Sequence, residues 1–233
     1  MRSRLIAGLL LCGLSSLHQI CAQAVDPNLM REVAAVRQEM ARSNLALRQY
    51  TWTEHTEVLV KGSVKSSTAF TCRYDESGQL IRNPIGEPKD RELSKAVSRR
   101  PMVRKKSEMQ DYMERAVTLI QNYVPVKPDQ IQYLLQTGEA SLGPSEGGKS
   151  ELRFTHYFQA GDVLVFTYDS ATKALLRASI KANLANPKDP VTLEAAFATL
   201  PEGVTHLSSA TLTAKAKKIQ VNRRNVMYQK PGE

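Results

Sequence analysis

From Ser150 to Tyr228 apolar and polar residues alternate in short runs separated by turn-forming residues, and this pattern restricts the chain to an antiparallel sheet. Leu152, Phe154, His156 and Phe158 share one face before Ala160-Gly161-Asp162 turns the chain. Val163 to Tyr168 forms the next run, and Asp169 to Thr172 the next turn. Ala174, Leu176, Ala178 and Ile180 alternate again. After the loop Asn186 to Pro190 come Val191 to Leu200, the turn Pro201-Glu202-Gly203, Val204 to Ala214, and Ile219 to Tyr228. A period of two places successive side chains on opposite faces, so these segments read as about six strands with one buried face.

The N-terminal part changes period. Asp26-Pro27 supplies an N-cap and a first-turn proline, and Val33, Val36, Met40 and Leu47 then recur at helical spacing. The spacing predicts an amphipathic helix over 28–48. Tyr50, Trp52, Thr56, Val58 and Val60 then alternate with polar residues up to Lys61-Gly62, and Phe70, Cys72 and Tyr74 follow on a second strand. That is a hairpin by alternation and by turn chemistry, with a short third strand over 79–82. Residues 89–136 form a helical insertion. Its first part is basic, with Pro101 as a break; Ser107-Glu108-Met109-Gln110 reads as a capping box opening a helix that runs to Val124. A short helix over 129–136 and a mobile loop over 138–149 complete the insertion. The fold class is α+β around one large antiparallel sheet.

Compartment follows from the first two dozen residues. Arg2 and Arg4 precede the apolar run Leu5 to Cys12, and Ala22-Gln23-Ala24 resembles a signal-peptidase site. The apolar run is too short to span a bilayer, which needs about 20 residues. The expected product is an exported protein, periplasmic or secreted, with residues 1–24 removed and a single α+β domain over 25–233. Cleavage takes Cys12 and Cys21, leaving Cys72 without a partner for a disulfide, so a core must hold the domain. It also removes two arginines and no acid, so the formal charge of +9 falls to +7. Outside the cytoplasm such a surface is expected to meet anionic envelope lipids and polymers rather than nucleic acid; the alternative is ordinary solubility charge.

Reactive constellations are absent from the pattern. His55, His156 and His206 occupy no metal-binding spacing, and no second cysteine accompanies Cys72 after cleavage. Cys72 shares an apolar face with Phe70 and Tyr74, where a thiol is inert. No nucleophile elbow, Walker loop or dinucleotide fingerprint occurs. The acidic pairs Glu54/Glu57 and Asp111/Glu114 read as solvated surface charge. No catalytic residue, metal site or cofactor is expected.

Two features carry a functional reading. Tyr50, Trp52, Phe70, Tyr74, Phe154, His156 and Phe158 fall on sheet faces and are candidates to line a ligand cavity; the alternative is a filled core under helices. Arg99, Arg100, Arg104, Lys105 and Lys106, ahead of Met109 and Met113, are candidates for a basic lid that meets a lipid surface or a partner; the alternative is a solvated helix face.

The order of elements resembles the LolA, LolB and LppX fold of periplasmic lipoprotein carriers. The matching parts are the helix ending at Gln49, the hairpin with Tyr50-Thr51-Trp52, the inserted helix over 107–124 and the strand series over 150–228. The chain also resembles exported bacterial proteins with a D-P-V-T-L-E segment, here Asp189 to Glu194. The resemblance implies a strongly curved half-barrel, with the N-terminal helix and inserted helices covering one face. It further implies non-enzymatic, reversible binding of an apolar or amphipathic envelope ligand, a lipid or lipoprotein, without a cofactor. An envelope scaffold with a filled core and no small-molecule ligand is the alternative.

Overall fold

The computed structural model describes residues 26–86 and 99–230, and side chains within 26–86 and 108–230. The signal segment 1–24 and the first part of the basic insertion, 89–98, lie outside the described residues.

Helix α1 spans Pro27–Ala46, where Asp26 accepts a hydrogen bond from the Asn28 N–H at 2.8 Å and Pro27 opens the first turn. Its last turn tightens into a 3-10 turn over Leu47–Gln49. Leu29, Val36 and Ser43, seven residues apart, form its buried stripe. The hairpin follows as β1, Thr51–Val60, and β2, Ser63–Tyr74. Lys61 (φ 53°) and Gly62 (φ 77°) both take the left-handed region, as a two-residue hairpin turn matched to strand twist requires. Strand β3 is Leu80–Pro84.

The insertion differs from expectation at its start. Helix α2 runs Arg99–Gln121 and passes through both Pro101 and Ser107. Pro101 lies in the first turn, where its missing N–H would be unpaired in any case, so it opens the helix instead of breaking it. The capping-box pattern at Ser107 is consequently internal. Helix α3, Pro128–Thr137, ends on Gly138 in the left-handed region (φ 76°).

The segment expected as a mobile loop contains strand β4, Ala140–Leu142, paired with β5, Lys149–Thr155. Three residues are too few to show alternation, so only the pairing reveals this strand. The remaining strands are β6, Val163–Asp169; β7, Leu175–Asn183; β8, Pro190–Thr199; β9, Thr205–Ala214; and β10, Ile219–Gln229.

Among the described residues ten strands form one antiparallel sheet, ordered β3-β2-β1-β10-β9-β8-β7-β6-β5-β4. Each neighbour is sequential except β1 and β10. The sheet stays open, with β3 and β4 as its edges. The helical insertion must connect those two edges, which explains why it crosses a sheet face. Register shifts at Thr51/Thr53, Val58/Leu59, Thr167/Tyr168 and Ala196/Phe197 add local twist, helping the sheet curve into the half-barrel expected. Helices α1, α2 and α3 cover its concave face. Their Val36, Ala116, Ile120, Ile131 and Leu134, with Tyr123 just beyond α2, join Phe154, Leu164, Tyr168, Ile180, Val191 and Ile219 of the strands in the main core. Leu47, Tyr50 and Val204 form a separate small cluster, with Tyr74 and Tyr228 packed against it. Among the described residues no helix is long and apolar enough to cross a membrane.

Candidate ligand cavity

Period-two spacing builds the floor of a cavity between the sheet and its helices. Strands β5 to β10 each point a pair of residues into it, including Leu152/Phe154, Leu164/Phe166, Ala178/Ile180, Leu193/Ala195, Ala210/Leu212 and Val221/Arg223. The roof is the α1 stripe of Val33, Val36 and Met40, together with Val117 and Ile120 of α2, Tyr123 and the connection over 124–126 that follow α2, and Ile131 of α3. The cavity volume is about 730 Å³. That lies within the roughly 300–1,000 Å³ of small-molecule sites. Among the described residues its only charged lining side chains are Arg37 and Arg223.

Tyrosine–carboxylate hydrogen bonds fasten the roof to the rim. Tyr168 on β6 donates to Glu32 on α1 at 2.8 Å, and Lys173 reaches the same carboxylate at 2.8 Å. Tyr112 on α2 donates to Asp189, between β7 and β8, at 2.5 Å. Tyr123, just beyond α2, donates to Asp162, between β5 and β6, at 2.6 Å. A fourth such bond joins Tyr50 to Glu202 beside the second aromatic cluster. Burial and a carboxylate acceptor both disfavour the phenolate, so Tyr112 and Tyr168 are pushed up to about 12 and Tyr123 is raised further. The Glu32 carboxyl is held below its ordinary value, chiefly by the hydrogen bond from Lys173.

Asp162 is 1 % exposed and reorganises the chain around it. Its carboxylate accepts the N–H groups of Tyr157, Phe158 and Gln159 as well as the Tyr123 hydroxyl. Strand β5 therefore ends at Thr155, and His156 turns into the left-handed region (φ 53°). His156 and Phe158 do not continue the Leu152/Phe154 face. His156 is half exposed and pairs with Glu139 at 3.0 Å, while Phe158 is exposed with its ring edge against Tyr123.

The other aromatic candidates divide as follows. Phe154 lines the cavity and meets Phe166 edge-on. Tyr50, Trp52 and Tyr74 lie outside the lining, toward the β1–β3 end of the sheet. Trp52 stacks on Tyr228 at 5.5 Å and lies 5.5 Å from Tyr74. Phe70 is half-buried on β2 opposite Glu54. Arg99, Arg100, Arg104, Lys105 and Lys106 fall on the α2 backbone, and their side chains lie outside the described residues.

Glu54 corrects the reading of a solvated carboxylate. It is 4 % exposed and sits between two guanidiniums, Arg82 at 3.4 Å and Arg223 at 3.6 Å. Sequence spacing gave no signal for this triad, because its members come from β1, β3 and β10. Cys72, fully buried nearby, has its thiol pushed up, first by burial and then by the Glu54 charge. No group of three or more potential metal ligands occurs among the described residues.

No protein-family model matches the sequence, and no curated protein does. Solved structures show distant likenesses. One is a DUF1329 family protein from Desulfovibrio piger, at 11 % identity and TM-score 0.39, covering 86 % of this chain and 94 % of that one. A domain named for outer-membrane lipoprotein sorting, from Vibrio parahaemolyticus, is similar at 9 % identity and TM-score 0.43, covering 88 % and 94 %. A LolA superfamily protein from Nitrosomonas europaea is similar at 7 % identity and TM-score 0.38, covering 85 % and 94 %. At these levels the functional reading rests on the cavity alone.

Proposed function

We propose that the protein is an exported, non-enzymatic binder of an apolar or amphipathic envelope ligand, a lipid or lipoprotein, held in the half-barrel. The observation that carries this reading is the cavity of about 730 Å³ between sheet and helices, whose lining is apolar apart from a few polar side chains. A filled core would close such a space, because voids in protein interiors cost packing contacts. An alkyl chain entering it would gain about 0.8 kcal/mol for each CH₂ removed from water. The basic stretch ahead of Met109 would bring the protein to anionic membrane surfaces. The leading segment ending at Ala24 would deliver the protein to the periplasm or the exterior.

The test is to purify residues 25–233 from the exported fraction without denaturant, extract with organic solvent and analyse the extract by mass spectrometry. The expected result is a lipid at near-stoichiometric amount. A blank extract, together with no thermal stabilisation by added lipids, would overturn the reading in favour of a scaffold with a filled core.

A further inference from the structure

Resting on that binding reading, we infer that the ligand is an amphiphile with a singly charged anionic head, and that its head lies on the Arg82–Glu54–Arg223 cluster at one end of the apolar cavity. Arg223 belongs to both places: it lines the cavity and it pairs with Glu54. Strand register builds the patch around it. Glu54 lies opposite Asn225 on one side and opposite Phe70 on the other. Trp52, two residues before Glu54 and on the same face, lies opposite Cys72, which lies opposite Arg82.

Two buried polar atoms of this patch have no hydrogen-bond partner among the described residues: Trp52 Nε1 and Asn225 Oδ1. Trp52 is 7 % exposed and Asn225 is 8 % exposed. The Asn225 amide nitrogen donates to the Leu207 carbonyl at 3.1 Å, and this fixes its oxygen as the unpaired atom. A buried donor or acceptor left unpaired is costly, and such atoms recur where a ligand completes the set. An anionic head would accept from the indole N–H and the guanidiniums, and a hydroxyl next to it would donate to Asn225 Oδ1.

Charge selects the head. Two arginines against one glutamate leave the cluster with one net positive charge, which a single negative charge neutralises. Planar guanidiniums pair well with carboxylate and phosphate oxygens alike. A fatty-acid carboxylate and a lysophospholipid phosphodiester both supply that chemistry.

The test measures binding of palmitate, palmitoyl lysophosphatidylglycerol and neutral monopalmitoylglycerol to the delipidated mature protein by calorimetry. The emission of Trp52, the chain's one tryptophan, provides a second readout. One anion or both should bind about tenfold or more tightly than the neutral glyceride, as charge-assisted hydrogen bonds give. Whichever anion binds more tightly identifies the source of the head. Anion binding should shift Trp52 emission, and the neutral lipid should not. Arg223→Gln should bring the anion-to-neutral ratio toward one, and Glu54→Gln should raise it. Equal affinity for all three lipids in the wild-type protein, a comparison that needs no variant to fold, would overturn the head site and leave the binding reading standing. Loss of the ratio in Arg37→Gln with its retention in Arg223→Gln would also overturn it. No binding of any of the three would overturn both.

Discussion

Tyr123 donates a 2.6 Å hydrogen bond to Asp162, and both side chains are buried to 1 % exposure or less. One carboxylate thereby holds the β5–β6 loop through three backbone N–H groups and the end of α2 through a phenol. Removing it would orphan four donors in the protein interior. Asp162→Ala should cost about 3 kcal/mol or more, and Tyr123→Phe about 1 kcal/mol. Urea unfolding of the two variants checks the order, and equal losses would contradict the assignment of Asp162 as the shared acceptor.

The α1 clasp gives a signature in alkali. Tyr168 is raised to about 12 by burial and by its hydrogen bond to Glu32, so the folded protein holds this proton more tightly than the unfolded chain, whose phenol titrates near 10. Its stabilisation is complete below pH 10 and is lost as pH rises toward 12. Tyr168→Phe should lower stability at neutral pH by about 1 kcal/mol and flatten the fall between pH 10 and 12. Denaturant midpoints across that range check both effects.

On the acid side the same clasp behaves in the opposite sense. Glu32 is held below its ordinary value of 4.5, so its contribution is present above that pH and is lost as pH falls through the lowered value. Glu32→Gln should therefore be less stable than wild type at neutral pH, with the difference closing on acidification below about pH 4.5. Thermal melts of both proteins between pH 3 and 7 check this, and a gap that stays constant would contradict the Lys173 pairing.

Local signals explain which parts of this architecture could be read from sequence. Helix α1, the Lys61-Gly62 hairpin and the strands from Val163 onward follow from periods and turn residues within a few positions of one another. The clasps do not, because Tyr168 and Glu32 are 136 residues apart, Tyr112 and Asp189 are 77 apart, and neither pair leaves a local pattern. Glu54 reads as a surface charge until β3 and β10 bring Arg82 and Arg223 beside it. His156 and Phe158 fit the alternation of β5, but the Asp162 carboxylate draws the next three N–H groups into a turn. The aromatic residues were the conspicuous candidates for lining, yet most of the sheet's share of the cavity comes from Leu, Ile, Val and Ala at alternate positions.

Ala210 separates a space available to a ligand from a filled interior. It sits on β9 between Ala195 of β8 and Arg223 of β10, and all three side chains line the cavity. In a close-packed core an added ring forces neighbours off their rotamers at about 1–3 kcal/mol. In an unfilled cavity the ring occupies space and buries apolar surface, so Ala210→Phe should change stability by less than about 1 kcal/mol in the absence of lipid. The same ring takes volume that an alkyl chain would use, so lipid affinity and lipid-induced thermal stabilisation should fall together. A variant that is strongly destabilised without lipid would show that the sheet and helices close on each other in solution. A stable variant with undiminished lipid binding would place the ligand elsewhere.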